Sequence, residues 1–86
     1  MKQMEKTLKA MANHRRLAIA KFLKDNGASS VGEIAREIKL SFKSTSRHLG
    51  LLSAADIVDK EQKGLTVFYF LSKDQKPVIK SLFSHL

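Results

Sequence analysis

The stretch Leu40–Leu52, LSFKSTSRHLGLL, places two demands on one segment, and any fold for the chain has to meet both. Thr45, Leu49 and Leu52 recur at i, i+4 and i+7, a spacing that turns them to one side of a helix. Ser41 stands where its hydroxyl can accept a bond from an amide of the first turn. The other side is left with Phe42, Lys43, Ser46, Arg47 and Gly50, with Ser44 and His48 at its edges. That face is too rich in cations and hydroxyls to be plain solvent coating. It suits the major groove of a duplex, where such side chains reach phosphates and base edges. The spacing predicts a recognition helix.

The neighbouring segments supply what such a helix needs to be held and aimed. Ser30 with Glu33 three residues on forms a capping box, and Val31, Ile34, Ala35 and Ile38 give the next helix its buried stripe. Only Lys39 and Leu40 separate this helix from Ser41, so residues 30–55 read as a helix-turn-helix. After Ala54-Ala55-Asp56, an alternating strand Ile57–Glu61 and a β-branched, aromatic run Leu65–Leu71 flank a turn at Gln62-Lys63-Gly64. Residues 56–71 are therefore expected to form a two-stranded hairpin, a wing, with Lys60 and Lys63 at its tip facing a phosphate or the minor groove. Upstream, Asn13 caps a strongly apolar helix, His14–Asn26, which Gly27 stops. Arg15 and Arg16 in its first turn are either solvated charges or phosphate contacts, and His14 is expected to be structural.

Both ends of the chain carry apolar stripes with little of their own domain left to cover. Met1, Met4, Leu8 and Met11 recur at helical spacing, and methionine adapts readily to shared surfaces. Asp74 can cap a last helix with Pro77 in its first turn, followed by Val78, Ile79, Leu82, Phe83 and Leu86. A lid on its own domain is one use for the first stripe. A twofold dimer is the expected one, built from segments 1–12 and 73–86 through Met4, Leu8, Met11, Ile79, Leu82, Phe83 and Leu86. The expected architecture is mainly α with a two-stranded β-hairpin, a winged helix-turn-helix in the order α-α-α-α-β-β-α, forming a single domain over residues 1–86.

Composition narrows the function. Sixteen Lys and Arg against eight Asp and Glu leave a formal charge of +8, which favours a polyanionic partner over a neutral small molecule. With no cysteine there is no disulfide, thiolate metal site, redox switch or cysteine nucleophile. The charged opening MKQMEKTLKAMA cannot be a signal peptide, and no run approaches the ~20 apolar residues of a membrane span. A cytoplasmic protein is expected. No nucleophile elbow, paired carboxylates or glycine-rich phosphate loop is present, so an enzyme is not expected.

Among individual residues, Arg47 is the foremost candidate for a guanine or phosphate contact, because guanidinium pairs bidentately with guanine. Lys43, Ser44 and Ser46 would fix register on the backbone or read a base through a hydroxyl, and Arg36 would touch the backbone. Thr45 is assigned to the core. His48 is either a phosphate contact, strengthened by protonation below about pH 6.5, or a packed neutral imidazole. Leu65 and Phe70 put apolar groups on the wing; packing is expected for one of them. The alternative use of such a fold, a protein- or RNA-binding module, draws on Phe42, Leu65 and Phe70.

This order of elements resembles the winged-helix repressors of the ArsR family. LKAMANHRRLAIAKFL looks like that family's opening segment. SVGEIAREIKLSFKSTSRHLGLL looks like its central segment, including the run Ser46, Arg47, His48, Leu49, and KGLTVFYFL stands where the family carries a basic wing and a tyrosine-ended strand. The resemblance implies a homodimeric, sequence-specific repressor of double-stranded DNA that leaves its operator when an effector binds. It departs from the metal-sensing members. Their cysteine pair is absent from Val31–Ala35, and Asp74 with His85 lacks a second histidine near Lys76, so no metal or other cofactor is expected. Phe42 and Lys43 stand where the family usually has small polar groups, so its base preference does not transfer.

Overall fold

Side-chain caps start three of the helices by taking up amides that a helix end leaves unpaired. The structure is a computed structural model that describes residues 2–74, 80–82 and 84–85. Helix α1 spans Lys2–Met11 and α2 His14–Asn26. Asn13 caps α2, its Oδ1 accepting from the amides of Arg15 at 2.9 Å and Arg16 at 3.2 Å. Gly27, at φ 77°, closes it with its amide on the Leu23 carbonyl. Strand β1, Ser29–Ser30, leads into α3, Val31–Ile38. The capping box is present: the Glu33 amide donates to Ser30 Oγ at 3.2 Å and the Ser30 amide to Glu33 Oε1 at 2.9 Å. Those bonds hold the Glu33 carboxyl below its usual range.

Lys39 makes the turn of the helix pair without glycine. It sits left-handed at φ 56° with its amide on the Ala35 carbonyl, and Leu40 donates to the same oxygen at 3.0 Å. Helix α4, Phe42–Ala54, follows at once. The Ser44 amide donates to Ser41 Oγ at 3.1 Å, as the sequence predicts.

The wing differs from expectation in two respects. Strands β2, Val58–Lys63, and β3, Thr66–Leu71, pair antiparallel from Val58 opposite Leu71 to Lys63 opposite Thr66. The turn is therefore Gly64-Leu65 rather than Gln62-Lys63-Gly64, with Gln62 and Lys63 in the strand. Glycine at φ 64° in the first central position suits a two-residue hairpin. Leu65, expected to begin the strand, is instead the turn residue and is fully exposed, while Phe70 is half-buried, so one of the two packs. Phe68 and Phe70, two residues apart, share one face of β3 and are both half-buried. The sheet also has three strands, in the order β1-β3-β2. Ser29 and Ser30 pair with Tyr69 and Phe68; a two-residue strand has no period to announce it.

The core gathers Ile19, Ala20 and Leu23 of α2, Ile34 of α3, Leu49 and Leu52 of α4, then Ile57, Val58 and Tyr69. Burying each large aliphatic side chain contributes about 1.5–3 kcal/mol. Helix α1 corrects one expectation. Its inward face centres on Thr7, Ala10 and Met11, and Met11 is 3% exposed in the core of its own chain. Met11 is thus not free for a subunit interface. Met4 is half-buried at the border and Leu8 points outward at 46% exposure. At about 100° per residue, Met11 and Leu8 lie some 60° apart, so one stripe divides between two uses.

At the other end, residues 80–82 are helical and Leu82 packs against the core, half-buried. Ile79, Phe83 and Leu86, with Met1, Lys76, Pro77 and Val78, lie outside the described residues.

Candidate nucleic-acid interface

Helix α4 divides along its length into a buried and an exposed arc. Thr45, His48, Leu49 and Leu52 are buried, whereas Phe42, Lys43, Ser46, Arg47 and Gly50 are exposed. At helical spacing those five residues fall within about 140° of arc. The helix contains no acidic residue. Among the described residues the ion pairs are Lys9–Glu5 at 3.5 Å and Lys21–Asp25 at 3.1 Å, so neither Lys43 nor Arg47 has a carboxylate partner there. Like charges at i, i+4 cost a helix about 0.2–0.5 kcal/mol. The Lys43 and Arg47 pair is suited to an external anion. Ser44 is half-buried at the edge of this face.

His48 does not belong to the exposed set, contrary to its inclusion among DNA contacts. It is 7% exposed, and its Nδ1 lies 3.3 Å from Arg16 Nη1. A guanidinium has only donors, so Nδ1 accepts and the ring is neutral. Burial first, then the positive charges of Arg16, Arg47, Arg15 and His14, hold its pKa below the usual 6.5. Of the two readings, the packed neutral imidazole is the one present.

Arg16 itself is neither solvated nor aimed at phosphate. Half-buried, it donates from Nε to the Ala10 carbonyl and from Nη2 to the Lys9 carbonyl at 3.5 Å. One side chain thereby caps the end of α1 and reaches α4. Thr7 acts beside it: Oγ1 donates to the Gln3 carbonyl at 2.9 Å and lies 3.5 Å from the Ala55 carbonyl just beyond α4. Neither role shows in periodicity, because both depend on which carbonyls the fold brings near. The one sequence hint is a threonine among apolar positions of α1.

The wing brings its cations less close together than expected. Lys60 and Lys63 are both exposed, but Lys63 adjoins the turn while Lys60 lies three residues back. Alternation sends them to opposite faces of the ribbon. Asp59 and Glu61, also exposed, share the Lys63 face. Arg36 is exposed on α3, with its charge felt by the Glu33 carboxylate. Between α4 and the wing lies a depression of about 460 Å³, lined in part by Phe42, Ser46, Leu65, Thr66, Val67 and Tyr69.

His85 Nδ1 is 2.7 Å from the Ser81 carbonyl, and among the described residues no three His, Cys, Asp or Glu side chains gather. Among the described residues no helix is long and apolar enough to cross a membrane.

Known proteins carry the same pattern. A family model described as bacterial regulatory protein, arsR family, matches residues 13–60. The transcriptional activator HlyU of Vibrio cholerae is 40% identical over 79 residues, which cover 92% of this chain and 72% of that protein. The transcriptional repressor SdpR of Bacillus subtilis is 32% identical over 69 residues, covering 80% and 76%. Among solved structures, reduced HlyU from Vibrio cholerae superposes with a TM-score of 0.83 at 38% identity, covering 98% of this chain and 84% of that one. A homodimeric winged helix-turn-helix DNA-binding domain from Mycobacterium bovis gives 0.85 at 26% identity, covering 98% and 74%.

Proposed function

Because the chain belongs to the ArsR family of DNA-binding transcriptional regulators, we propose that it acts as a homodimeric repressor whose paired α4 helices enter successive turns of an operator. The observation that carries the reading is the exposed arc of α4, where Lys43, Ser46 and Arg47 stand together without an acidic partner on that helix. Arg47 reads a guanine or grips a phosphate; Lys43, Ser44 and Ser46 fix the register. Lys63 at the wing tip reaches the adjoining backbone, and Lys60 and Arg36 add weaker, longer-range attraction. The family sets aside the protein- or RNA-binding alternative as the main activity.

The segments 1–12 and 73–86 form the dimer, with residues 30–55 as the reading unit and 56–71 as the wing. Leu8 supports this, being an apolar side chain that α1 leaves 46% exposed. The homodimeric Mycobacterium bovis domain supports it as well. Repression asks only that such a dimer occupy a promoter, and the dimer works from the cytoplasm without metal or cofactor.

Operator fragments selected from a randomised duplex pool test the proposal. Affinity should fall steeply with salt, since each neutralised phosphate releases counterions, and Arg47→Ala should cost ~1–3 kcal/mol of specific binding. A shallow salt dependence, or unchanged operator affinity for Arg47→Ala, would remove α4 as the reading element.

A further inference from the structure

Phe42 carries the one apolar side chain of the exposed arc. Its ring is 63% exposed, it opens α4 directly after the Ser41 cap, and it borders the depression shared with the wing. A helix-turn-helix leads with the N-terminal residues of its second helix, which contact base edges. Lys43, Ser46 and Arg47 beside it answer to phosphates and polar base edges, but a phenyl ring cannot. The apolar group that the major groove displays is the C5-methyl of thymine. Across the depression the ring faces Leu65 and Val67 of the wing, but on α4 its neighbours at i+1, i+4 and i+5 are cationic or hydroxylic, on a chain of net charge +8.

We propose that Phe42 is a specificity-determining residue that packs against a pyrimidine C5-methyl in each half-site, thymine in ordinary DNA or 5-methylcytosine in modified DNA. The proposal rests on α4 lying in the major groove. It assigns to this chain a base preference that a serine or asparagine at the same position could not give. Because the contact is apolar, it is insensitive to salt and adds selectivity without adding to general attraction for DNA.

Deoxyuridine removes the methyl and leaves every hydrogen-bonding group of the base in place. Substituted one position at a time in the selected operator, it should weaken wild-type binding about fourfold at one position per half-site, the loss of one buried methyl-sized group. Phe42→Ala, which removes the ring from both subunits, should bind the unmodified operator about as weakly as the wild type binds an operator with deoxyuridine at that position in both half-sites. It should also be indifferent to the substitution and leave the salt dependence unchanged. Cytosine against 5-methylcytosine at that position separates the two sources, with the methyl restoring the lost affinity.

Arg47→Ala, by contrast, should bind more weakly overall yet keep its sensitivity to deoxyuridine. If wild type binds thymine and deoxyuridine operators equally while Arg47→Ala still loses affinity, the proposal fails and the groove placement stands. If neither change matters, the groove placement itself fails. Unaltered operator selectivity in Phe42→Ala also overturns it and leaves the ring for a protein partner.

Discussion

Arg16 Nη1 stands 3.3 Å from His48 Nδ1, and the same guanidinium donates to the Ala10 and Lys9 carbonyls at the end of α1. One side chain of α2 thus ties the helix proposed to join subunits to the helix proposed to read DNA. Planarity matters, because its donors diverge in a fixed fork that an ammonium does not have.

Removing that tie should be costly. Arg16→Ala should lower stability by about 1–3 kcal/mol, since the α1 carbonyls and a buried imidazole lose their charged donor together. Arg16→Lys should recover only part of it. Denaturant midpoints with unchanged slopes measure both, and a loss under about 0.5 kcal/mol for the alanine variant would mean that water replaces the guanidinium without penalty.

His48 also sets a pH dependence. Its folded pKa is depressed by burial and by the charges around it, so the folded state refuses a proton that the unfolded chain accepts near pH 6.5. Stability is therefore full above that value and falls as pH drops from it toward the lower folded pKa. Thermal melts in that window should show the decline, and His48→Gln should flatten it. Stability that rises on acidification through the window would contradict the buried neutral ring.

Thr45 offers an opposite sign. Its side chain is fully buried and Oγ1 has no hydrogen-bond partner among the described residues, so burial of the hydroxyl is uncompensated there. Thr45→Val keeps the shape and removes the unpaired group, which should stabilise the domain by about 1 kcal/mol and raise Tm by about 4–8 °C. A lower melting temperature would show that a water or a shifted carbonyl satisfies the hydroxyl in solution.

Much of this was legible in the sequence because it lies in local pattern. The caps at Asn13, Ser30 and Ser41 are a side chain and an amide two or three residues apart, and the α4 stripe Thr45, Leu49, Leu52 follows a single period. What escaped depends on distance along the chain. The pairing of Ser29 and Ser30 with Tyr69 and Phe68 closes about forty residues. The burial of His48 follows from Arg16 lying across it, 32 positions earlier in the sequence. Met11 and Leu8 look alike as apolar members of one stripe, and only the packing of α1 against α2 and α4 tells which faces in. The wing turn starts at Gly64 and not at Gln62 because glycine takes the first central position, a demand that a Gln-Lys-Gly run does not announce.

Leu8 permits a clean test of the dimer. At 46% exposure it contributes little to its own core, so Leu8→Asp should leave the monomer folded. Sedimentation should then show dissociation, and operator binding should weaken sharply because half-sites about 34 Å apart need two subunits. A variant that remains dimeric would place the interface elsewhere, and a wild type already monomeric at micromolar concentration would remove the dimer.

Gly50 sits in the middle of the exposed arc, and a Cβ built there meets nothing within 4 Å. The fold therefore gives no reason for glycine at a position where alanine is worth about 0.5–1 kcal/mol more to a helix. Close approach of a ligand is such a reason, since a bare backbone lets a groove wall or a sugar-phosphate strand come nearer to α4. Gly50→Ala should raise stability by that amount and at the same time weaken operator binding, the two effects having opposite signs in one variant. Melting curves and operator titrations on the same preparation decide it. Higher stability with undiminished binding would show that the duplex does not come close to this part of the helix.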